Sequence, residues 1–343
     1  MNAKLKTTEF TINEEEKVRA DMYNFLASIL QREPSDDLVK SYTQLNGDDT
    51  PVGKSFSILS DLASKIPSGD IRSEYQDLFK DFFIFKRKNG ILEVRMHTNN
   101  KEAKWSKEIH RALPQIFTII GADRKNEVII LTGTGDFWLS EFDNESWAEI
   151  EKDNQTFRQE NYDWEYLDAH KLCENLLWNI DVPIISAING PGFHTEFPLL
   201  CDLTLCAEDT KFFEGHLKVG LVPGDGQFLV FQKLLGLKRA NWYMFTSEAF
   251  NAKQAFEWGV VNEVIPREKL LDRAWELAEQ IMKNDRVTRR LTTAVTRRYW
   301  KRIFTDDFSH HVTSEMYAMM TSDIKNHGHG DQDLPEIFDH LKK

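Results

Sequence analysis

A chain of 343 residues is long for one small domain and suits a large domain with a small appendage. Hydrophobic residues make up 41% and charged residues 29%, with 23 Phe and 9 Trp, which excludes a disordered or low-complexity chain. Forty-three Lys and Arg against 55 Asp and Glu leave a net charge of −12, so neither nucleic acid nor an anionic membrane surface is expected as a partner.

The first 80 residues read as a small helical module. Val18, Met22, Phe25, Leu26, Ile29 and Leu30 recur at helical spacing before the Glu33-Pro34-Ser35 stop. Further helices follow after Ser35 and over residues 53–65, and no catalytic constellation stands out among them. From residue 81 the texture changes to strands alternating with helices. Residues 82–86 and 91–97 flank Lys88-Asn89-Gly90, a hairpin signal. Residues 104–121 carry Trp105, Ile109, Leu113, Ile116, Phe117 and Ile120 at helical spacing, and the apolar run 128–131 ends in Thr132-Gly133-Thr134-Gly135. The same order returns with a helix over 166–178, a strand over 183–188, the turn Asn189-Gly190-Pro191-Gly192 and a strand over 203–207. Such repetition predicts a layered α/β fold over 81–343. After Lys233 the chain reads as mostly helical, with long amphipathic segments over 270–282 and 286–304.

Cys173, Cys201 and Cys206 lie in or beside apolar runs without C-x-x-C spacing, so they read as buried free thiols in a reducing compartment. No run has the length of a membrane span, and residues 1–16 lack the apolar segment of a secretory signal, so the expected location is cytoplasmic. There is no phosphate-binding G-x-x-x-x-G-K-[ST], no dinucleotide G-x-G-x-x-G after a strand, no H-E-x-x-H and no G-x-S-x-G. No cofactor and no metal are expected.

Six signatures stand in order along the chain: residues 89–94 (NGILEV), 128–137 (VIILTGTGDF), 182–191 (VPIISAINGP), 201–203 (CDL), 220–226 (GLVPGDG) and 252–264 (AKQAFEWGVVNEV). Through them the chain resembles the crotonase (enoyl-CoA hydratase/isomerase) superfamily from about Phe82 to Ile324. The resemblance implies a spiral of ββα units with C-terminal helices, assembled as a homotrimer or hexamer. It also implies two catalytic glutamates in the hydratases, but their aligned positions here are Pro198 and His216. The surroundings of those positions are similar to the branch containing 6-oxocamphor hydrolase and the bacterial β-diketone hydrolases. The matching residues are Trp105, His194, His216, Asp225 and Glu315, and the spacings from His216 to Asp225 and from Asp225 to Glu315 fit that branch. Two features depart from it: the N-terminal module, and an aromatic and acidic segment over 142–162 where a pocket lid would lie.

Hydrolytic cleavage of a 1,3-diketone needs a nucleophilic water at one carbonyl and shelter for the departing enolate. A histidine with a carboxylate partner is suited to taking the water's proton. By resemblance His216 and Asp225 form that pair, provided the loop between them folds the aspartate onto the ring. His194 and the indole of Trp105 are then donors to the enolate oxygen, Glu315 protonates the carbanion carbon or orients a water, and Ser140 and Thr195 supply the backbone N–H groups of an oxyanion hole. The residue pattern alone leaves plainer roles open: Asp225 sits in a Pro-Gly-Asp-Gly turn, Trp105 near a helix start, and Glu315 on an amphipathic helix. The expected activity is hydrolysis of a β-diketone. The alternatives are a crotonase-fold enzyme for an acyl-CoA thioester, or a noncatalytic scaffold that recruits a partner through its N-terminal helices.

Overall fold

Asn89 and Gly90 both take positive φ, 51° and 83°, the backbone of a tight hairpin turn that matches the right-handed twist of its strands. In this computed structural model, which describes residues 74–321, that turn joins β1 (Phe83–Lys88) to β2 (Ile91–Met96) in antiparallel register from Phe83 opposite Met96 to Lys88 opposite Ile91. Beyond β2 every pairing in this sheet is parallel. β3 (Val128–Thr132), β4 (Ile184–Ile188) and β5 (Leu203–Ala207) come next in order, and a short strand over Glu263–Ile265 pairs with β5 at the far edge. The runs VIILT and IISAI are buried on both faces, as interior strands of a covered parallel sheet require.

Alternation along these strands divides the core. Ile129 and Leu131 point into the larger cluster with helices Lys107–Ala122 and Asp168–Trp178. Val128, Ile130, Ile185, Ala187, Leu205 and Ala207 point the other way, onto Leu270, Ala274 and Ala278 of helix Arg267–Met282. The family signatures prove to be the joints of this sandwich. Asn189 donates from Nδ2 to the carbonyls of Gly135 and Phe137 at 2.8 and 2.9 Å, locking the loops after β3 and β4 together. Gly190 packs so closely there that a Cβ would lie 1.8 Å from the carbonyl oxygen of Asp136. Asp202 accepts from the N–H of Ile184 at 2.8 Å and pairs with the buried Arg297, whose guanidinium also donates to the carbonyls of Ile180 and Val182.

Several segments differ from the periodicity. The stretch after Lys233 contains β7 (Phe250–Asn251), paired with β6 (Lys211–Phe212), and β8 (Glu263–Ile265), which completes the main sheet against β5. Strands of two or three residues are too short to show a period. The helix read over 286–304 is two, Arg286–Thr296 and Arg298–Ile303, meeting where Arg297 turns inward to Asp202. Two π-helical turns, Tyr162–Leu167 and Phe304–Phe308, lead into the helices Asp168–Trp178 and Ser309–Thr321. The helical module expected over residues 1–80 lies outside the described residues up to residue 73. Its end, helix Glu74–Leu78, places Tyr75 in the main core, with Phe79 just beyond it. Among the described residues no helix is long and apolar enough to cross a membrane.

Candidate active site

Four short segments bring ionisable side chains into one hollow. His194 follows β4 and its glycine-rich turn, immediately before helix Glu196–Leu199, and adopts φ 52°, a left-handed backbone that a non-glycine residue takes at a cost of order 1 kcal/mol. Its ring stacks on Trp105, centroids 3.9 Å apart and planes 22° from parallel. His216 opens a 3₁₀ turn, His216–Val219, that ends at the left-handed Gly220. Asp225 stands just before helix Gln227–Leu235, where its Oδ1 accepts from the N–H of Gln227 at 3.0 Å. Glu315 lies buried on helix Ser309–Thr321, against which Gly224 packs so tightly that a Cβ there would lie 2.5 Å from the Cβ of Glu315.

Gln227 ties these segments together. Its Oε1 accepts from the N–H of Thr195 at 2.9 Å and its Nε2 donates to the carbonyl of Phe213, so one amide spans the His194 loop, the strand before His216 and the turn of Asp225.

The loop between His216 and Asp225 does fold the aspartate back, but onto both imidazoles. Asp225 Oδ2 lies 3.1 Å from His194 Nδ1 and 3.6 Å from His216 Nε2. Each ring has a second carboxylate of its own. His194 Nδ1 is 3.1 Å from Glu196 Oε1, while His216 donates from Nδ1 and from its backbone N–H to Glu214 Oε1. His216 Nε2 also faces Glu315 Oε1 at 3.5 Å. The result is a line Glu196, His194, Asp225, His216, Glu214, with Glu315 beside the second ring.

Burial by itself would lower the proton affinity of both rings. At His194 the charges of Glu196 and Asp225 outweigh it and raise the pKa to about 10. At His216 the facing Glu214, Asp225 and Glu315 do the same and hold the ring well above the usual histidine range. Asp225 moves the other way: burial opposes ionisation, but the two imidazolium rings keep its carboxyl well below the ordinary carboxylate value. Burial raises Glu196 to about 7 and Glu315 to about 8, with Asp225 adding to the burial effect and the neighbouring histidines opposing it. The hollow therefore holds acids and bases of displaced strength side by side, as acid–base catalysis at moderate pH requires. The side chains of His216, His194 and Asp225 keep 16%, 12% and 11% exposure.

His194, Glu196 and Asp225 each present one possible ligand atom within 4.8 Å of the others. A proton on His194 Nδ1 shared between the two carboxylates accounts for that spacing without a metal ion.

The expected oxyanion hole is corrected. The N–H of Ser140 donates to the carbonyl of Ala103 at 2.9 Å and that of Thr195 to Gln227, so neither amide is available to a substrate oxygen. The cause is local: residues 138–143 are pinned beside the Trp105 strand bridge, and Gln227 fills the space in front of Thr195. Trp105 reaches the site through its ring face on His194. Pro198, at one aligned glutamate position, is consumed structurally, its carbonyl accepting from Ser186 Oγ and Thr204 Oγ1 at 2.6 and 3.0 Å. The segment read as a lid over 142–162 packs inward: Phe142 stacks on Phe193, and Trp147 and Phe157 are buried. Residue reasoning passed over Glu196, Glu214 and Gln227. For the two glutamates a signal was present, since each stands two residues from a candidate histidine, whereas Gln227 acts through loops that only the fold brings together.

The sequence profile of the enoyl-CoA hydratase/isomerase family matches residues 86–328. Carnitinyl-CoA dehydratase of Escherichia coli (strain SMS-3-5) is 32% identical over 202 residues, covering 57% of this chain and 72% of that protein. Among solved structures, a β-diketone hydrolase from the cyanobacterium Anabaena sp. PCC 7120, bound to (S)-3-oxocyclohexyl acetic acid, superposes with TM-score 0.67 at 36% identity, covering 73% of this chain and 98% of that one. An enoyl-CoA hydratase/isomerase from Mycobacterium paratuberculosis, 18% identical, shares the fold with TM-score 0.63 over 76% of this chain and 98% of its own.

Proposed function

Because the chain belongs to the enoyl-CoA hydratase/isomerase family, we propose that it uses that fold to hydrolyse the carbon–carbon bond between the two carbonyls of a β-diketone, without a cofactor. The observation that carries this reading is Asp225 between two imidazoles, where the hydratases' glutamates are replaced by Pro198 and His216. His216 has one ring nitrogen committed to Glu214 and the other, Nε2, facing the hollow. In its neutral form Nε2 takes the proton of a water that adds to one carbonyl. The bond between that carbon and the central carbon then breaks, its electron pair passing into an enolate on the second carbonyl. His194, carrying a proton, stabilises that enolate, and Glu315 returns a proton to the central carbon. The products are a carboxylic acid and a ketone, or one keto acid from a cyclic substrate. A positioned general base of this kind contributes about 10² to 10⁴ in rate. The β-diketone hydrolase relative supports the same reading.

The family's acyl-CoA chemistry is the second reading, favoured by the identity to carnitinyl-CoA dehydratase. Screening cyclic and linear 1,3-diketones for loss of their ultraviolet enol band decides between them. Turnover that disappears in His216→Ala is expected, whereas no diketone cleaved and an acyl-CoA thioester consumed would replace this reading by the second. We also propose a cytoplasmic location and a homotrimer or hexamer. Val287, Leu291 and Val295 form an exposed apolar stripe at four-residue spacing on helix Arg286–Thr296, which a neighbouring copy would cover. Light scattering of the purified protein checks this, and a monomer would remove it.

A further inference from the structure

Glu165 is a buried carboxyl that the chemistry above does not use. It sits in the π-helical turn Tyr162–Leu167, 7% exposed, and among the described residues its Oε1 has no hydrogen-bond partner. A buried unpaired carboxyl costs a protein stability and persists where something else needs it. Its surroundings fix it in place. The preceding Trp164 lies under the guanidinium of Arg111, 3.5 Å from the ring centroid, and under Lys107 at 4.9 Å, and Arg111 also donates to Asp168 at 2.9 Å. The π-turn packs on the helix that carries Glu315, and just before it Asn161 and Arg158 bond to Met320 on that helix. A π-turn inserts one extra residue into a helix and redirects the side chains around it, and such turns recur at functional sites. Here the residue presented is within electrostatic range of both His194 and Glu315. Burial, reinforced by the negative charges of Glu151 and Asp168, keeps its proton on well above the ordinary glutamate range, with His194 opposing.

The two backbone amides that the resemblance gave to an oxyanion hole are spent on Ala103 and Gln227, and Trp105 meets His194 by its ring face, so further donors to a developing oxyanion must come from other side chains. We propose that Glu165 supplies the missing donor: its carboxyl O–H bonds to the enolate oxygen beside His194, so that this oxyanion is held by two side chains in place of two backbone N–H groups. The proton stays on Glu165 throughout, since the bond is a contact and not a transfer. The inference rests on the β-diketone reading for the identity of the oxyanion, but the carboxyl's state can be read without turnover.

The test uses the full-length protein, Glu165→Gln, which keeps an N–H donor, and Glu165→Leu, which has none. Glu165→Leu is expected to lower kcat on a 1,3-diketone by about 10² to 10³, while Glu165→Gln retains most of it. Infrared difference spectra of wild type against Glu165→Gln should show a protonated carboxyl band at neutral pH. That band should shift when dimedone, a cyclic 1,3-diketone largely present as its enolate, is added. A folded Glu165→Leu with unchanged kcat, equal losses in both variants, or a band that ignores dimedone would overturn the assignment. If the wild type cleaves no 1,3-diketone, the hydrolase reading fails by itself, while the ligand-free band at neutral pH still decides whether Glu165 keeps its proton, and its absence overturns the donor role. If Glu165→Leu does not fold, Glu165→Gln and the band decide.

Discussion

Replacing Asp225 by Asn removes one negative charge from between two rings and almost no volume. With an effective dielectric of about 20, a unit charge 3.1 Å from His194 Nδ1 and 3.6 Å from His216 Nε2 is worth about 5 kcal/mol at each ring before offsets. Glu196 and Glu214 remain in place, and the loss of a buried charge removes an opposing cost, so the pKa of each ring should fall by about 1 to 3 units. The amide keeps an oxygen where Oδ1 caps the N–H of Gln227, so the helix start survives and the rings respond by releasing protons while the fold persists. Loss of the partner that stabilises the protonated base predicts a fall in kcat of about 10² to 10⁴. The assay is enol-band loss on the best 1,3-diketone, paired with imidazole titration by nuclear magnetic resonance of Asp225→Asn and wild type. A variant that keeps its kcat, or rings whose titration is unmoved, would refute the claim that this carboxylate serves both histidines.

Gly224→Ala places a Cβ 2.4 Å from the carbonyl oxygen of His311 and 2.5 Å from the Cβ of Glu315, so the loop and the helix must part. It should cost about 1 to 3 kcal/mol in a urea melt and lower kcat by moving Glu315 away from His216; an unperturbed, fully active variant would contradict the close packing. The signs of the shifts set the pH profile. His216 acts deprotonated and its pKa is raised, so kcat/KM should climb above the usual histidine range, whereas Glu315 and His194 act protonated, so it should fall through about 8 and then about 10. A maximum at pH 5 would reverse these roles. Arg297→Met leaves the partly buried Asp202 without its cation and removes the buried guanidinium, and should destabilise by about 3 kcal/mol, with activity per folded molecule retained, as a melt combined with active-site titration would show.

Much of the fold was legible in the linear sequence because it rests on local chemistry. The Asn89-Gly90 turn, the doubly buried strands VIILT and IISAI, and the close-packed glycines of the signatures each declare a backbone conformation or a burial state within a few residues. His194, His216, Asp225 and Glu315 were named by likeness to a family pattern, and the fold does gather them. Only the tertiary structure decided which atom meets which. The sequence places Asp225 near His216, but the folded loop brings its Oδ2 closer to His194. The glutamates that hold each ring and the Gln227 amide that occupies the Thr195 N–H obey the same rule. Hydrogen bonds and charge pairs act over about 3 Å, here between side chains as distant along the chain as His216 and Glu315. No periodicity or spacing encodes a distance of that kind; it emerges only when the sheet and its helices set the loops against one another.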